Sequence, residues 1–179
     1  MALKTIGNLE ASVDCYDKAI NLRPDDADSY AEKGEALGKL EKYEEAIRAY
    51  DEAIILNPNN PDFYLGKAKA LRKMNQYEEA LNCCDQALNI DPDTYAKSHH
   101  DKGKVLKEMG RVEEAVEYFD KAINIDPDCT KAYFKKGLAL YEMKEYEESV
   151  DCFGKAVSLD PNFSHAFYNK GQALFEMGK

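Results

Sequence analysis

The chain has 179 residues, 44% hydrophobic and 32% charged, with a formal net charge of −10 and an isoelectric point near 4.9. That is enough apolar material for a folded core, while the acidic balance argues against general nucleic-acid affinity, which relies on a basic surface. No apolar run approaches the roughly 18–20 residues of a membrane span, and residues 1–8 lack the apolar stretch of a secretory signal, so no membrane association and a cytoplasmic setting are expected.

Five cysteines, an odd number without a Cys-x-x-Cys pair, fit reduced thiols in such a compartment, and no histidine stands at metal-ligand spacing. No metal and no cofactor are expected.

Prolines recur at Pro24, Pro58, Pro92, Pro127 and Pro161, with spacings of 34, 34, 35 and 34 residues. A fixed period in this range points to stacked repeats. The expected organisation is a single array over 1–179. It holds a partial unit at 1–26, complete units at 27–60, 61–94, 96–129 and 130–163, Tyr95 as a one-residue insertion, and a partial unit at 164–179.

In chain order, residues 1–6 read as the tail of a first helix, with Gly7 at a turn and a second helix carrying Tyr16 and Ala19. Each complete unit then begins with an aromatic-type residue (Tyr30, Tyr64, His99, Tyr133), a glycine or alanine four residues on (Gly34, Ala68, Gly103, Gly137) and a leucine three further (Leu37, Leu71, Leu106, Leu140). Spacings of four and three place these on one helical face. A recurring small residue inside a helix implies close helix contact, since glycine there costs up to about 1 kcal/mol relative to alanine.

The second half of each unit repeats a large residue, an alanine three on, an aromatic or cysteine four further and another alanine. Examples are Tyr43, Ala46, Tyr50, Ala53 and Tyr77, Ala80, Cys84, Ala87; Ser149 takes the first alanine's place in the last complete unit. Large and small residues alternating along a stripe suit two closely packed helices, so each unit is expected to be a helical hairpin. Glutamate pairs such as Glu44-Glu45 and Glu147-Glu148 fall near the start of the second helix, where the helix dipole favours negative charge. The partial unit 164–179 repeats the first half, with Phe167, Gly171 and Leu174.

This pattern resembles the tetratricopeptide repeat (TPR) family over essentially the whole chain. The resemblance implies an all-α fold, a right-handed superhelix of helix-turn-helix hairpins whose first helices line a concave groove, and a role as a protein-interaction scaffold. Carrying the family's groove positions onto this sequence gives Lys69, Arg72, Lys73, Lys97, His100, Lys104, Lys107 and Lys131, then Phe134, Leu138, Tyr141, Tyr168 and Phe175. A basic middle turning aromatic implies a protein or peptide partner with acidic and apolar residues. The chaperone-tail clamp known in one subclass of the family is not matched, since its places hold Ala31, Glu35, Gly66, Lys97 and Asp101.

There is no Gly-rich phosphate loop, His-Glu-x-x-His motif or nucleophile elbow, and neighbouring glutamates point about 100° apart on a helix, so no enzymatic activity is expected. Cys15, Cys83 and Cys152 share a unit position two whole units apart, which suits small hydrophobes better than a redox centre. Neither end shows a polar capping helix, and Leu174 and Phe175 stand on a helix without a follower. The chain therefore reads as a segment of a longer array or as a protein whose ends dock onto something, and self-assembly into homo-oligomers through the terminal helices is the alternative expectation.

Overall fold

The computed structural model describes residues 2–91 and 96–178, with side chains from Gly7 onward. Pro92 and the insertion at Tyr95 lie outside the described residues. All regular structure among the described residues is helical: α1 (Ala2–Leu22), α2 (Ala27–Lys39), α3 (Tyr43–Leu56), α4 (Pro61–Lys73), α5 (Tyr77–Ile90), α6 (Ala96–Glu108), α7 (Val112–Ile125), α8 (Thr130–Glu142), α9 (Tyr146–Leu159) and α10 (Ser164–Glu176). They form two compact units, residues 1–92 with α1–α5 and residues 93–179 with α6–α10.

Helix boundaries follow from local chemistry. Second helices α3, α5, α7 and α9 each carry their glutamate pair in the first turn. Each stops just before the residue that precedes the proline: Asn57, Asp91, Asp126 and Asp160 are extended, with ψ of 87°, 86°, 89° and 94°, as the proline ring requires. First helices end in a left-handed residue, Glu41, Asn75, Gly110 or Lys144, with φ between 59° and 80°. The following amide reaches back five residues, as Lys42 N–H does to Leu37 O at 3.0 Å and Arg111 N–H to Leu106 O at 2.9 Å. This satisfies carbonyls that the helix end leaves without partners.

The N-terminal reading needs one correction. α1 runs unbroken from Ala2 to Leu22, so residues 2–6 are not the tail of a separate first helix and Gly7 is no turn. The left-handed turn position is held by Gly110 and Gly178, not by Gly7.

The core of three hairpins is a ring against a glycine. Tyr50, Phe119 and Phe153 are 8%, 0% and 0% exposed, and a Cβ on Gly34, Gly103 or Gly137 would lie 3.0, 2.8 or 2.7 Å from the facing ring. In α4 the glycine becomes Ala68, and the facing residue is the smaller Cys84; both are buried. The methyl is accommodated because the ring opposite it is gone. Tyr50 extends further than the phenylalanines: a Cβ on Gly66 of α4 would lie 2.3 Å from its ring and 2.7 Å from its hydroxyl oxygen. That explains a glycine where the other units carry Glu32, Asp101, Lys135 and Asn169.

A repeated ion pair ties the first helices α2, α4 and α8 to the second helix before each. Lys33 to Asp17, Lys67 to Asp51 and Lys136 to Asp120 are each 2.5 Å. Gly154 holds the aspartate's place opposite Lys170, and an added Cβ would meet only the end of that flexible side chain, Nζ at 3.3 Å. Gly154→Asp is therefore expected to stabilise the second unit by about 0.5–1 kcal/mol, from helix propensity and a half-exposed ion pair. Urea unfolding would show it as a higher midpoint at unchanged slope; an unchanged midpoint would remove the pair from the account.

Candidate functional site

The first helices of each unit lie side by side, α2 with α4, and α6 with α8 followed by α10. In the first unit, Lys69 and Lys73 of α4 are exposed and Arg72 is half-buried. The remaining predicted residues all fall in the second unit.

Not all of them face outward there. The His100 ring packs 5.9 Å from Phe119, and its side chain is only 13% exposed. Phe134 sits between Phe153 at 5.7 Å and Phe163 at 4.7 Å. Both occupy a unit position whose counterpart in α4, Leu65, is 0% exposed. At this position the side chain turns into the packing between helices, and Tyr168 of α10, 66% exposed, is the exception. Lys97 and Lys131 are exposed, and Leu138 is half-buried.

The lysines are less free than their number implies. Lys104 Nζ lies 2.9 Å from Asp101 Oδ1, and His100 Nδ1 is 3.4 Å from the same oxygen. Asp101 is 5% exposed, so α6 carries its own buried counter-charge. Lys107 pairs with Glu142 across α6 and α8. A mostly buried carboxylate costs solvation unless paired, which makes Lys104 part of the packing of α6 as much as of its surface. Asp101 was missed as a structural partner because its unit position holds a different residue type in every unit.

The aromatic end is open. An open hollow of about 550 Å³ is lined by Tyr141, Phe167, Tyr168, Gly171, Gln172, Phe175 and Glu176. Phe175 is 80% exposed. Tyr141 packs edge-on against Tyr146 at 5.4 Å, and Gln172 Nε2 donates to the Tyr168 hydroxyl at 3.1 Å. Desolvation and then the Glu176 carboxylate hold the Tyr141 hydroxyl above the ordinary phenol range. This surface offers aromatic faces, two hydroxyls and an amide.

The thiols fit the same picture. Burial pushes Cys152 up to about 11 and raises Cys83 as well, which favours the protonated thiol of both near neutral pH. Among the described residues, no group of three or more His, Cys, Asp or Glu side chains could hold a metal ion. None of the described helices is long and apolar enough to cross a membrane.

Glycine-on-ring hairpins, left-handed inter-helix turns and a 34-residue period define a helical-hairpin repeat protein. Two family models match it: "Tetratricopeptide repeat" over residues 37–100 and "TPR repeat" over residues 2–41, 103–144 and 137–178. The chain belongs to the tetratricopeptide repeat family, with the all-α helical-repeat fold that this implies.

Solved structures agree on the fold. MamA is similar at 22% identity and a TM-score of 0.73, covering 90% of this chain and 94% of its own. YrrB, a TPR protein with an unusual peptide-binding site, is similar at 24% identity and a TM-score of 0.70, covering 95% and 87%. TTC0263, a thermophilic TPR protein in Thermus thermophilus, reaches a TM-score of 0.81 at 18% identity, covering 97% and 94%. No curated protein sequence matches the chain.

Proposed function

We propose that this chain is a protein-interaction scaffold that captures a peptide or protein segment on the first-helix face of its second unit. The observation that carries the reading is the cluster of Tyr141, Tyr168 and Phe175 around an open hollow, with Tyr168 and Phe175 66% and 80% exposed. Aromatic side chains held open on a folded scaffold suit the anchor role that dominates interface energetics. The neighbouring peptide-binding protein YrrB supports a peptide as the class of partner.

Lys97 and Lys131 supply exposed positive charge on the same set of helices, which favours a partner with acidic residues beside its apolar anchor. Lys104 and Lys107 stand on the same helices, paired with Asp101 and Glu142. The chain acts through binding rather than catalysis in this reading.

Binding of a random peptide library tests the proposal. Peptides selected on the wild type should lose about tenfold or more in affinity with Tyr141→Ala or Tyr168→Ala, the loss typical of anchor residues. Lys97→Glu with Lys131→Glu should weaken binding mainly at low salt. Equal affinities for wild type and both tyrosine variants would move the site elsewhere.

A further inference from the structure

Four residues of α10, Tyr168, Gln172, Phe175 and Glu176, stand at spacings of four, three and one, which places them on one stripe of the helix. Tyr141 of α8 adds its ring to the hollow that they line. Together they offer three aromatic rings and a carboxylate, and Glu176 is the one charged group among the residues lining that hollow. Tyr168 and Phe175 are largely exposed, and so is Glu176. Desolvation first and the Glu176 carboxylate second raise the Tyr141 phenol, so the negative charge on α10 is felt at the ring on α8.

The face of an aromatic ring carries the negative part of its quadrupole and attracts cations, as a carboxylate does. A wholly apolar side chain would cover the rings but strip water from Glu176 and return nothing for it. Rings and carboxylate thus ask for the same thing, positive charge. The second unit already uses its rings this way: Lys102 and Lys121 place Nζ 4.6 and 4.2 Å from the Tyr118 ring centre, and Lys135 places it 5.7 Å from that of Phe134.

Hydrogen-bonding capacity decides which cation fits. With Gln172 Nε2 donating to the Tyr168 hydroxyl at 3.1 Å, Gln172 Oε1 stands as an acceptor beside the Tyr141 hydroxyl oxygen and the Glu176 oxygens. Arginine meets acceptors with five N–H donors in one plane, stacks that plane on a ring and forks onto a carboxylate, whereas a lysine ammonium is a compact charge that holds its water more tightly.

We propose that the hollow is an arginine site: the partner segment seats one arginine, its guanidinium against the Tyr141, Tyr168 and Phe175 rings and its N–H groups on Glu176. This rests on the reading of the hollow as the peptide site and names the residue that it selects. The arginine stem is apolar and covers ring surface, and only its end is charged. The groove's lysines lie apart from it. Lys131 stands ten residues before Tyr141 on α8, about 15 Å along the helix, so a partner with an acidic residue at about that distance from its arginine meets both.

Peptides selected on the wild type from a random library test this by fluorescence anisotropy, each made with its arginine and with citrulline, which keeps the shape and removes the charge. The selected pool is expected to carry arginine at one fixed position. Citrulline in its place should weaken binding about tenfold, the combined loss of a cation–π contact and an exposed ion pair. Glu176→Gln should weaken the arginine peptide about threefold and leave the citrulline peptide unchanged, a coupling that a general loss of structure does not produce. Glu176 is the exposed last residue of α10, so this variant keeps the fold. Pools anchored by leucine or phenylalanine, or citrulline bound as tightly as arginine, overturn the arginine site; if Tyr168→Ala still weakens those peptides, the peptide site itself stands. A library without binders, or binders indifferent to Tyr141→Ala and Tyr168→Ala, overturns both.

Discussion

Phe119→Ala is expected to lower the unfolding free energy of the second unit by about 3–5 kcal/mol, the range for deleting a fully buried ring. Phe119 is 0% exposed, and its ring fills the space left by Gly103, whose absent Cβ would sit 2.8 Å away. That space is shaped for a ring, so little else can move in, and the upper part of the range applies. The effect should concentrate in α6 and α7, because stability in stacked repeats is largely a sum of hairpin and nearest-neighbour terms. Hydrogen exchange should show it as faster exchange in those two helices. A loss below about 1 kcal/mol would mean that the ring-on-glycine contact is not what joins the hairpin.

Gly66→Ala carries the second large effect. A methyl there would lie 2.3 Å from the Tyr50 ring, whose opposite edge faces Gly34, where even an added Cβ would lie only 3.0 Å away, so the ring has little room to retreat. Overpacking of this kind costs about 1–3 kcal/mol, against a gain in helix propensity of up to about 1 kcal/mol. The two residues should therefore be coupled. Replacing Tyr50 by cysteine, the residue that faces Ala68 in the next hairpin, should make Gly66→Ala neutral or stabilising. A double-mutant cycle in urea measures this, and a coupling near zero would rule out the steric account.

The fold was largely legible because its determinants are local and recur. The proline period, the glycine four residues after the aromatic and the glutamate pairs each report one step of a hairpin, and each returns at a fixed spacing. Gly66 was not legible in that way. It answers the length of Tyr50 on another helix, a pairing that occurs once and leaves no period. The single long α1 is not legible either, because sequence alone does not distinguish Gly7 from a turn glycine such as Gly110, whereas nothing within 4 Å constrains Gly7 and the helix runs through it.

The candidate site was legible as a set of positions but not as a surface. Family groove positions placed Lys104 and Lys107 together, but which charge each meets depends on Asp101 and Glu142, one on the same helix and one on the next. His100 and Phe134 were expected on the open face and are turned toward Phe119 and Phe153. Helical spacing gives an angle, and only the width of the neighbouring helix contact decides whether that angle is buried. Tyr141, Tyr168 and Phe175 line an open hollow on α8 and α10.

The most direct test of the binding face is to map a library-selected peptide by amide chemical shifts. The account predicts that the shifts that move on titration cluster at Tyr141, Tyr168, Gln172 and Phe175 on α8 and α10, and that Tyr168→Ala abolishes the pattern. Shifts confined to the second helices α7 and α9, unchanged by Tyr168→Ala, would contradict it.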